Sequence, residues 1–402
     1  MLNKNLLYSS LTVIIVAILQ LVFIRYASYG IAKIDYGNFV LLQILVAGLS
    51  SFFLQSPGAA FERFFNESES KIDFINEFRT LMILINIPCL IIIIMYGIFY
   101  TDFNFLTSIG IFFWFFFMSN YEVNQRLYLY NLERKKYLFL QTLESLSKFI
   151  FPIFAYLYFQ TMISIIYGIA AGYFLSLIIV LSQMNNYKFE IKINLQNFKK
   201  YFFYSSPIVL VGIFTWGISF SDRYFINYYL ETEDVAIYSI LSMIAGFGAI
   251  IGSIYNIYGE PKVLKEFVIN KKNSFKMINS YMLALSMIFS FLLVIMLILP
   301  KEFWTILVEP EIIYNSYYFL SMIFLIIGIF INVLHVALRV YLKLFKSLHI
   351  LSFMLLIALI INLIGNLFIN QYGIIAAALS TLLAYISILI MEICYIRWYL
   401  KK

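Results

Sequence analysis

The chain has 402 residues, 63% of them hydrophobic and 12% charged, with 28 Lys and Arg against 21 Asp and Glu and a net charge of +7. At a mean hydropathy of +0.89 there is too little polar surface to cover a soluble core, which excludes a water-soluble globule and leaves an integral membrane protein. Cys89 and Cys394 lie in different apolar runs with no ligand spacing, so neither a disulfide framework nor a metal site is expected.

Apolar runs long enough to cross a bilayer as helices fall at 5–26, 37–59, 80–100, 104–130, 138–159, 163–185, 203–229, 235–257, 278–299, 316–341, 348–369 and 373–396. The first is expected to stay in place, because no small-residue cleavage site follows it. Between spans two and three the stretch "FERFFNESESKIDFINEFR" (61–79) alternates charge with Phe61, Phe64, Phe65, Ile72, Ile75 and Phe78, the pattern of an amphipathic segment on a membrane surface. The odd-numbered loops are short. "TDFN" (101–104), the turns near Gln160 and Asn370, and "LPKEFWTILVEPEIIYNS" (299–316) leave no room for an external domain. Lys and Arg concentrate in the even-numbered loops, as at Arg134, Lys135, Lys136, Lys199, Lys200, Lys262, Lys265, Lys271 and Lys272. By the positive-inside rule both termini are cytoplasmic.

The chain also repeats itself. "LLYSSL" (6–11) returns as "FFYSSP" (202–207), and each copy leads into a helix with a cation at its outer end, Arg25 or Arg223. A second helix follows with glycine inside it (Gly48; Gly246 and Gly248) and proline at its exit (Pro57; Pro261). The expected architecture is all-α and polytopic, with about twelve transmembrane helices in two six-helix lobes, 1–190 and 191–402. Six helices is an even number, so the repeat is parallel, with a pseudo-two-fold axis along the membrane normal and the site in the cleft between lobes.

Ionisable groups inside spans need partners or a watery cavity. Glu122 and Arg126 are spaced i to i+4, flanked by Asn120, Asn124 and Gln125, and Glu144 and Lys148 repeat that spacing. Both pairs place the acid first, the favourable order for an intrahelical ion pair. Asn332, His335 and Arg339 follow one face, extended by Lys343 and Lys346, and Asn362, Asn366 and Asn370 form a stripe. Plainer readings stand beside these: Arg126 and Arg339 snorkel to headgroups, Glu144 and Lys148 neutralise each other, and the asparagines bind two helices together.

Asp222 and Arg223 stand side by side near the outer end of the seventh span. Neighbours on a helix point about 100° apart, so these two are not expected to pair with each other. They mark the membrane boundary, or they face the cleft with Arg25 opposite.

The run "KKYFFYSSPIVLVGIFTWGISFSDRYFINYYLETEDVAIYSILSMIAG" (199–246) resembles the start of the second half of Wzx-type polysaccharide (O-antigen) flippases of the multidrug/oligosaccharidyl-lipid/polysaccharide exporter superfamily. The resemblance rests on Ser206 and Pro207, on Asp222 and Arg223, and on Ile237, Tyr238 and Ser239, with Tyr36 and Gly37 agreeing in the first half. It implies a central cavity that opens alternately to each side of the bacterial inner membrane. It implies as cargo an undecaprenyl-pyrophosphate-linked oligosaccharide, turned from the cytoplasmic to the outer leaflet during polysaccharide biosynthesis, such as that of lipopolysaccharide. The pyrophosphate would then meet Arg25, Lys148, Arg223 and Arg339, with Arg126 a further cavity cation, through charge-assisted bonds. Asp222, Glu144, Glu122, His335, Asn362 and Asn366 would supply polar or coupling groups. No cofactor is implied beyond a coupling H⁺ or Na⁺. The partners are the lipid-linked glycan, the bilayer and other polysaccharide-assembly membrane proteins, with no nucleic acid.

Two rivals remain at this level. A cation-coupled drug exporter of the same fold favours acids in its cavity, whereas the mid-span positions carry at least as many bases. A membrane polymerase or ligase needs an external loop with catalytic groups, and the two histidines, His335 and His349, sit beside no nucleophile. An enzyme is therefore not expected.

Overall fold

The computed structural model describes residues 4–65, 67–99, 104–130, 133–183, 190–255, 259–345 and 347–401. Among them every regular element is helical. The first stretch is α1 (Lys4–Tyr29), α2 (Lys33–Phe53), α3 (Gln55–Phe64), α4 (Lys71–Phe99), α5 (Phe105–Tyr130) and α6 (Arg134–Ser145). A π-helical turn, Leu146–Ile150, joins α6 to α7 (Phe151–Phe159), and α8 (Met162–Gln183) and α9 (Leu195–Tyr229) follow. Next come α10 (Thr232–Ala245), α11 (Phe247–Ile254), α12 (Glu260–Ile269), α13 (Lys271–Ile298), α14 (Lys301–Trp304) and α15 (Pro310–Tyr314). The chain closes with α16 (Ser316–Leu344), α17 (Leu348–Asn366), α18 (Ile369–Tyr372) and α19 (Ile374–Lys401).

Ten helices among the described residues are long and apolar enough to cross a membrane, or eleven if the bent α9 counts as one span. The remaining expected span is α5, a continuous 26-residue helix whose last turns are polar at Asn120, Glu122, Asn124, Gln125 and Arg126. With it, all twelve expected spans are helical, and the chain is a multi-pass membrane protein.

Several expected spans differ in detail. α9 bends by 50° at residue 207, where the sequence places a proline that cannot donate to the helical ladder. The eighth span is broken at Gly246 into α10 and α11, and the fifth contains the π turn. The segment 61–79, expected as an amphipathic surface segment, is shared between two helices: its first residues end α3, and those from Lys71 onward belong to α4. Its aromatic residues do cluster, with Phe61, Phe65, Phe74 and Phe78 buried and ring centroids of Phe61 and Phe78 5.1 Å apart, but Ile72 is exposed. Gln160 ends α7 in the left-handed conformation, φ 50°, at the expected turn. The other turn falls at Gly373, past the short α18 that holds Asn370. Most of "TDFN", residues 185–189 just before the boundary expected between the two lobes, and Lys346 lie outside the described residues.

The packing divides into two compact units. One comprises Asn3–Phe23 with Leu41–Ile213, and the other Ile24–Val40 with Phe214–Lys402. In the first, α5 packs on α4 and α8, and α8 on α7. In the second, α16 and α19 share the most extensive face, with α17 on α19 and α10 and α13 on α16. α17 comes so close to α19 that a Cβ at Gly365 would lie 2.4 Å from Ser380 Cβ. That approach brings short polar side chains of the two helices within reach of each other.

Candidate functional site

In the second unit a polar chain threads α9, α10, α17 and α19. α9 supplies Ser219, Ser221, Asp222 and Arg223, α10 supplies Tyr238, α17 stacks Asn362 above Asn366 one turn apart, and α19 supplies Ser380, Thr381 and Tyr385. Asp222 is 1% exposed and Arg223 8%. Contrary to expectation they pair. Arg223 Nη1 donates to Asp222 Oδ1 at 2.8 Å, and the Arg223 backbone N–H donates to the same oxygen at 2.9 Å. The 100° between neighbouring Cβ directions is overcome because the long guanidinium arm folds back along α9, where it also donates to the Ser219 carbonyl at 2.5 Å. Its face lies over the Tyr238 ring, 5.0 Å from the centroid, while the Tyr238 hydroxyl donates to Asp222 Oδ2 at 2.5 Å. Two unit charges are thus held in low dielectric by each other and by directed bonds, the condition under which a buried pair is tolerated.

From Asp222 the network continues. Thr381 Oγ1 lies 3.5 Å from Asp222 Oδ2 and accepts from Asn362 Nδ2 at 3.1 Å. Asn362 Oδ1 accepts from Ser221 at 3.1 Å and from Asn366 Nδ2 at 3.2 Å, and Ser380 Oγ donates to Asn366 Oδ1 at 2.7 Å. Ser219 and the Tyr385 hydroxyl are 3.1 Å apart. Asn362 and Asn366 are fully buried, while Asn370, the third of the expected stripe, is exposed.

A second cluster lies in the first unit, where α5 meets the α6–α7 region. Arg126 Nη2 is 3.6 Å from Glu122 Oε2, and Lys148 Nζ is 2.5 Å from Glu144 Oε1. Gln125 Nε2 donates to Glu144 Oε2 at 2.8 Å, tying α5 to α6. The Arg126 guanidinium lies against the bare backbone of Gly58 on α3, where a Cβ would sit 2.5 Å from its Cζ. Lys148 rides on the π turn with 44% of its side chain exposed, against 14% for Glu144. π turns recur where a helix presents a functional group.

His335 and Arg339 share a face of α16. His335 Nδ1 is 2.9 Å from Glu392 Oε2 on α19, and Glu392 is fully buried. Nothing in the sequence reading singled out Glu392, although it is the sole acid in the run 373–396. Arg79 and Glu77 were also passed over, because 61–79 read as a surface segment. Arg79 is buried and donates to Asn124 Oδ1 at 2.8 Å, and Glu77 accepts from Asn197 Nδ2 at 2.9 Å and from the Tyr201 hydroxyl at 3.2 Å. Arg25 stands apart from these groups. It is exposed, lies 5.2 Å from the Tyr29 ring centroid and donates to the Ile306 carbonyl. Among the described residues no three His, Cys, Asp or Glu side chains converge on a point that would hold a metal.

The profile of a family described as "Polysaccharide biosynthesis protein" matches residues 2–260. The chain belongs to that family. No curated protein matches this member. Solved structures resemble it closely in fold. The lipid II flippase MurJ, in an inward closed conformation, superposes with a TM-score of 0.73 at 15% identity, covering 99% of this chain and 87% of that one. A Vibrio cholerae MATE transporter gives 0.63 at 11% identity, covering 99% and 95%. An outward-facing multidrug resistance MATE transporter of the MOP superfamily gives 0.65 at 11%, covering 99% and 96%. The family is the polysaccharide-biosynthesis one expected, and the fold is the one these flippase and transporter structures share.

Proposed function

We propose that this polysaccharide biosynthesis protein flips an undecaprenyl-pyrophosphate-linked oligosaccharide from the cytoplasmic to the outer leaflet of the bacterial inner membrane, exposing a polar path to each side in turn. Membership of the family supports a role in surface-polysaccharide assembly. The similarity to a lipid II flippase supports a lipid-linked cargo. A pyrophosphate and its sugars cannot cross hydrocarbon unshielded, since each unpaired buried polar group costs about several kcal/mol. The observation that carries the anionic half of this reading is Lys148, an ammonium within the fifth span whose side chain stays 44% exposed beside its carboxylate. The cations are not bare: Arg126, Lys148 and Arg223 each have a carboxylate partner, so the cargo's phosphate would compete with Glu122, Glu144 or Asp222. Competition of that kind lets a site bind and then release.

The test is the leaflet distribution of lipid-linked oligosaccharide in cells lacking the protein, restored with wild type, Lys148→Ala or Lys148→Arg. Accumulation on the cytoplasmic face, cleared by wild type and by Lys148→Arg but slowly by Lys148→Ala, is the expected result. Normal arrival at the outer face without the protein would refute the flippase reading and direct attention to drug export.

A further inference from the structure

The pair formed by His335 and Glu392 has no part in the pathway proposed above. Glu392 has no exposed surface and His335 is 4% exposed. The two residues hold α16 and α19 in contact at 2.9 Å, yet neither carboxylate oxygen nor His335 Nδ1 makes an aligned hydrogen bond to any described residue. The close approach and the missing hydrogen bond are compatible when the interaction is charge against charge, or a carboxyl proton shared off the ring axis. Elsewhere in the chain a buried carboxylate is tied down: Asp222 accepts from Arg223 and Tyr238, and Glu77 from Asn197 and Tyr201. Of these three, Glu392 is the one that faces a histidine, the side-chain type that serves proteins as a proton switch.

We propose that His335 and Glu392 together form a proton-binding site whose occupancy sets how α16 packs on α19. With one proton between them the pair is neutral overall, whether as imidazolium and carboxylate or as imidazole and carboxylic acid. Adding a proton leaves a net positive charge, and removing it leaves a net negative one. Either net charge is expensive in a site as buried as this one, so the two groups hold one proton jointly rather than acting as independent groups. The proton comes from bulk water and returns to it, and no other reactant is needed.

The surroundings contain few other charges. On α16, Arg339 lies one turn beyond His335, half-buried, with its Nε unpartnered among the described residues. On α19, Tyr385 is two turns before Glu392 and is engaged with Ser219, and Tyr395 is one turn after it and donates to Ser347. α10 contributes Tyr238, already bound to Asp222, and Tyr255, just past α11, and Tyr281 of α13 join the apolar packing around α16. On α12, Glu260 is paired with Lys343. His349, at the start of α17, is exposed.

Because the chain has two histidines, the site can be read directly. The full-length protein, carrying ¹⁵N-histidine and His349→Gln, is placed in lipid nanodiscs, and the single imidazole signal is followed from about pH 4 to about pH 10. The expected result is a titration of His335 whose midpoint moves by about one pH unit or more in Glu392→Gln. Glu392→Asp, which keeps the carboxyl group, is expected to move it less and serves if the glutamine variant does not fold. An unchanged midpoint, or a signal that does not titrate over that range, would overturn the proposal. No cargo enters the measurement, so its failure and the failure of the flippase reading are distinguishable.

Discussion

Lys33, at the start of α2, lies 3.1 Å from the carboxylate of Glu309 in the segment between α14 and α15. The same segment is held to the end of α1 by further bonds: the Glu309 N–H donates to Ser28 Oγ at 2.9 Å, and the Tyr29 hydroxyl donates to the carbonyls of Thr305 at 2.5 Å and Val308 at 3.1 Å. Arg25 adds its bond to Ile306. Together these make a clasp over one end of the second unit.

The clasp must open if a path is to reach that end. Lys33 and Glu309 are each 26% exposed, so their pair contributes only about 1 kcal/mol or less. Lys33→Glu is expected to weaken closure several-fold, and the added Glu309→Lys to restore it. Ser28 is 2% exposed under the clasp, so thiol labelling of Ser28→Cys, with Cys89 and Cys394 replaced by Ser, measures opening, and equal labelling with wild-type charges, Lys33→Glu and the double charge reversal would rule the ion pair out as part of the clasp.

The Asp222 and Arg223 pair gives an asymmetric result on truncation. Asp222→Ala leaves a buried guanidinium without its acid and is expected to cost about 3–5 kcal/mol. The double variant Asp222→Ala with Arg223→Ala is expected to be more stable than Asp222→Ala alone. Thermal unfolding in detergent compares them. A double variant less stable than the single would mean that Arg223 finds its main support elsewhere.

Tyr238→Phe keeps the ring under the guanidinium and removes one charge-assisted bond to Asp222. The expected loss is about 1.5–3 kcal/mol, smaller than for Asp222→Ala. Chemical or thermal denaturation of the pair of variants orders them, and a neutral Tyr238→Phe would show that Thr381 and Arg223 suffice for the carboxylate.

At Gly365 the close passage of α17 and α19 leaves no space for a methyl group. Gly365→Ala is expected to destabilise by about 1–3 kcal/mol through overpacking. Ser380→Gly in the same chain removes the atom it meets and is expected to recover part of that loss, which a double-mutant cycle reads as a coupling energy.

How much of this was legible beforehand follows from the kind of signal each feature leaves. Spans are long apolar runs, and all twelve are helices. The intrahelical pairs, Glu122 with Arg126 and Glu144 with Lys148, are local and follow from spacing alone. Asp222 and Arg223 were visible as residues but not as a pair, because Cβ directions say nothing of where a three-carbon arm with a guanidinium folds. Glu392 leaves only one letter in an apolar run, and its meaning depends on His335, 57 positions earlier, lying opposite on a parallel helix. Arg79 and Glu77 were hidden by their neighbours: a charged stretch reads as solvated until α5 and α9 are packed on it.

The π turn at Leu146–Ile150 has a consequence for how the chain tolerates change. A π turn accommodates one residue more than the α-helical ladder needs, while the helices on either side keep their faces. Deleting a single residue there would return Arg134–Phe159 to α-helical spacing, lacking the ladder bond that Pro152 cannot donate, and leave Pro152, Ile153 and Tyr156 turned inward as before. What would be lost is the local twist that carries Lys148 outward beside Glu144. The fold could survive a one-codon deletion at this point that would scramble any other span, and the lesion would be confined to the placement of one ammonium group.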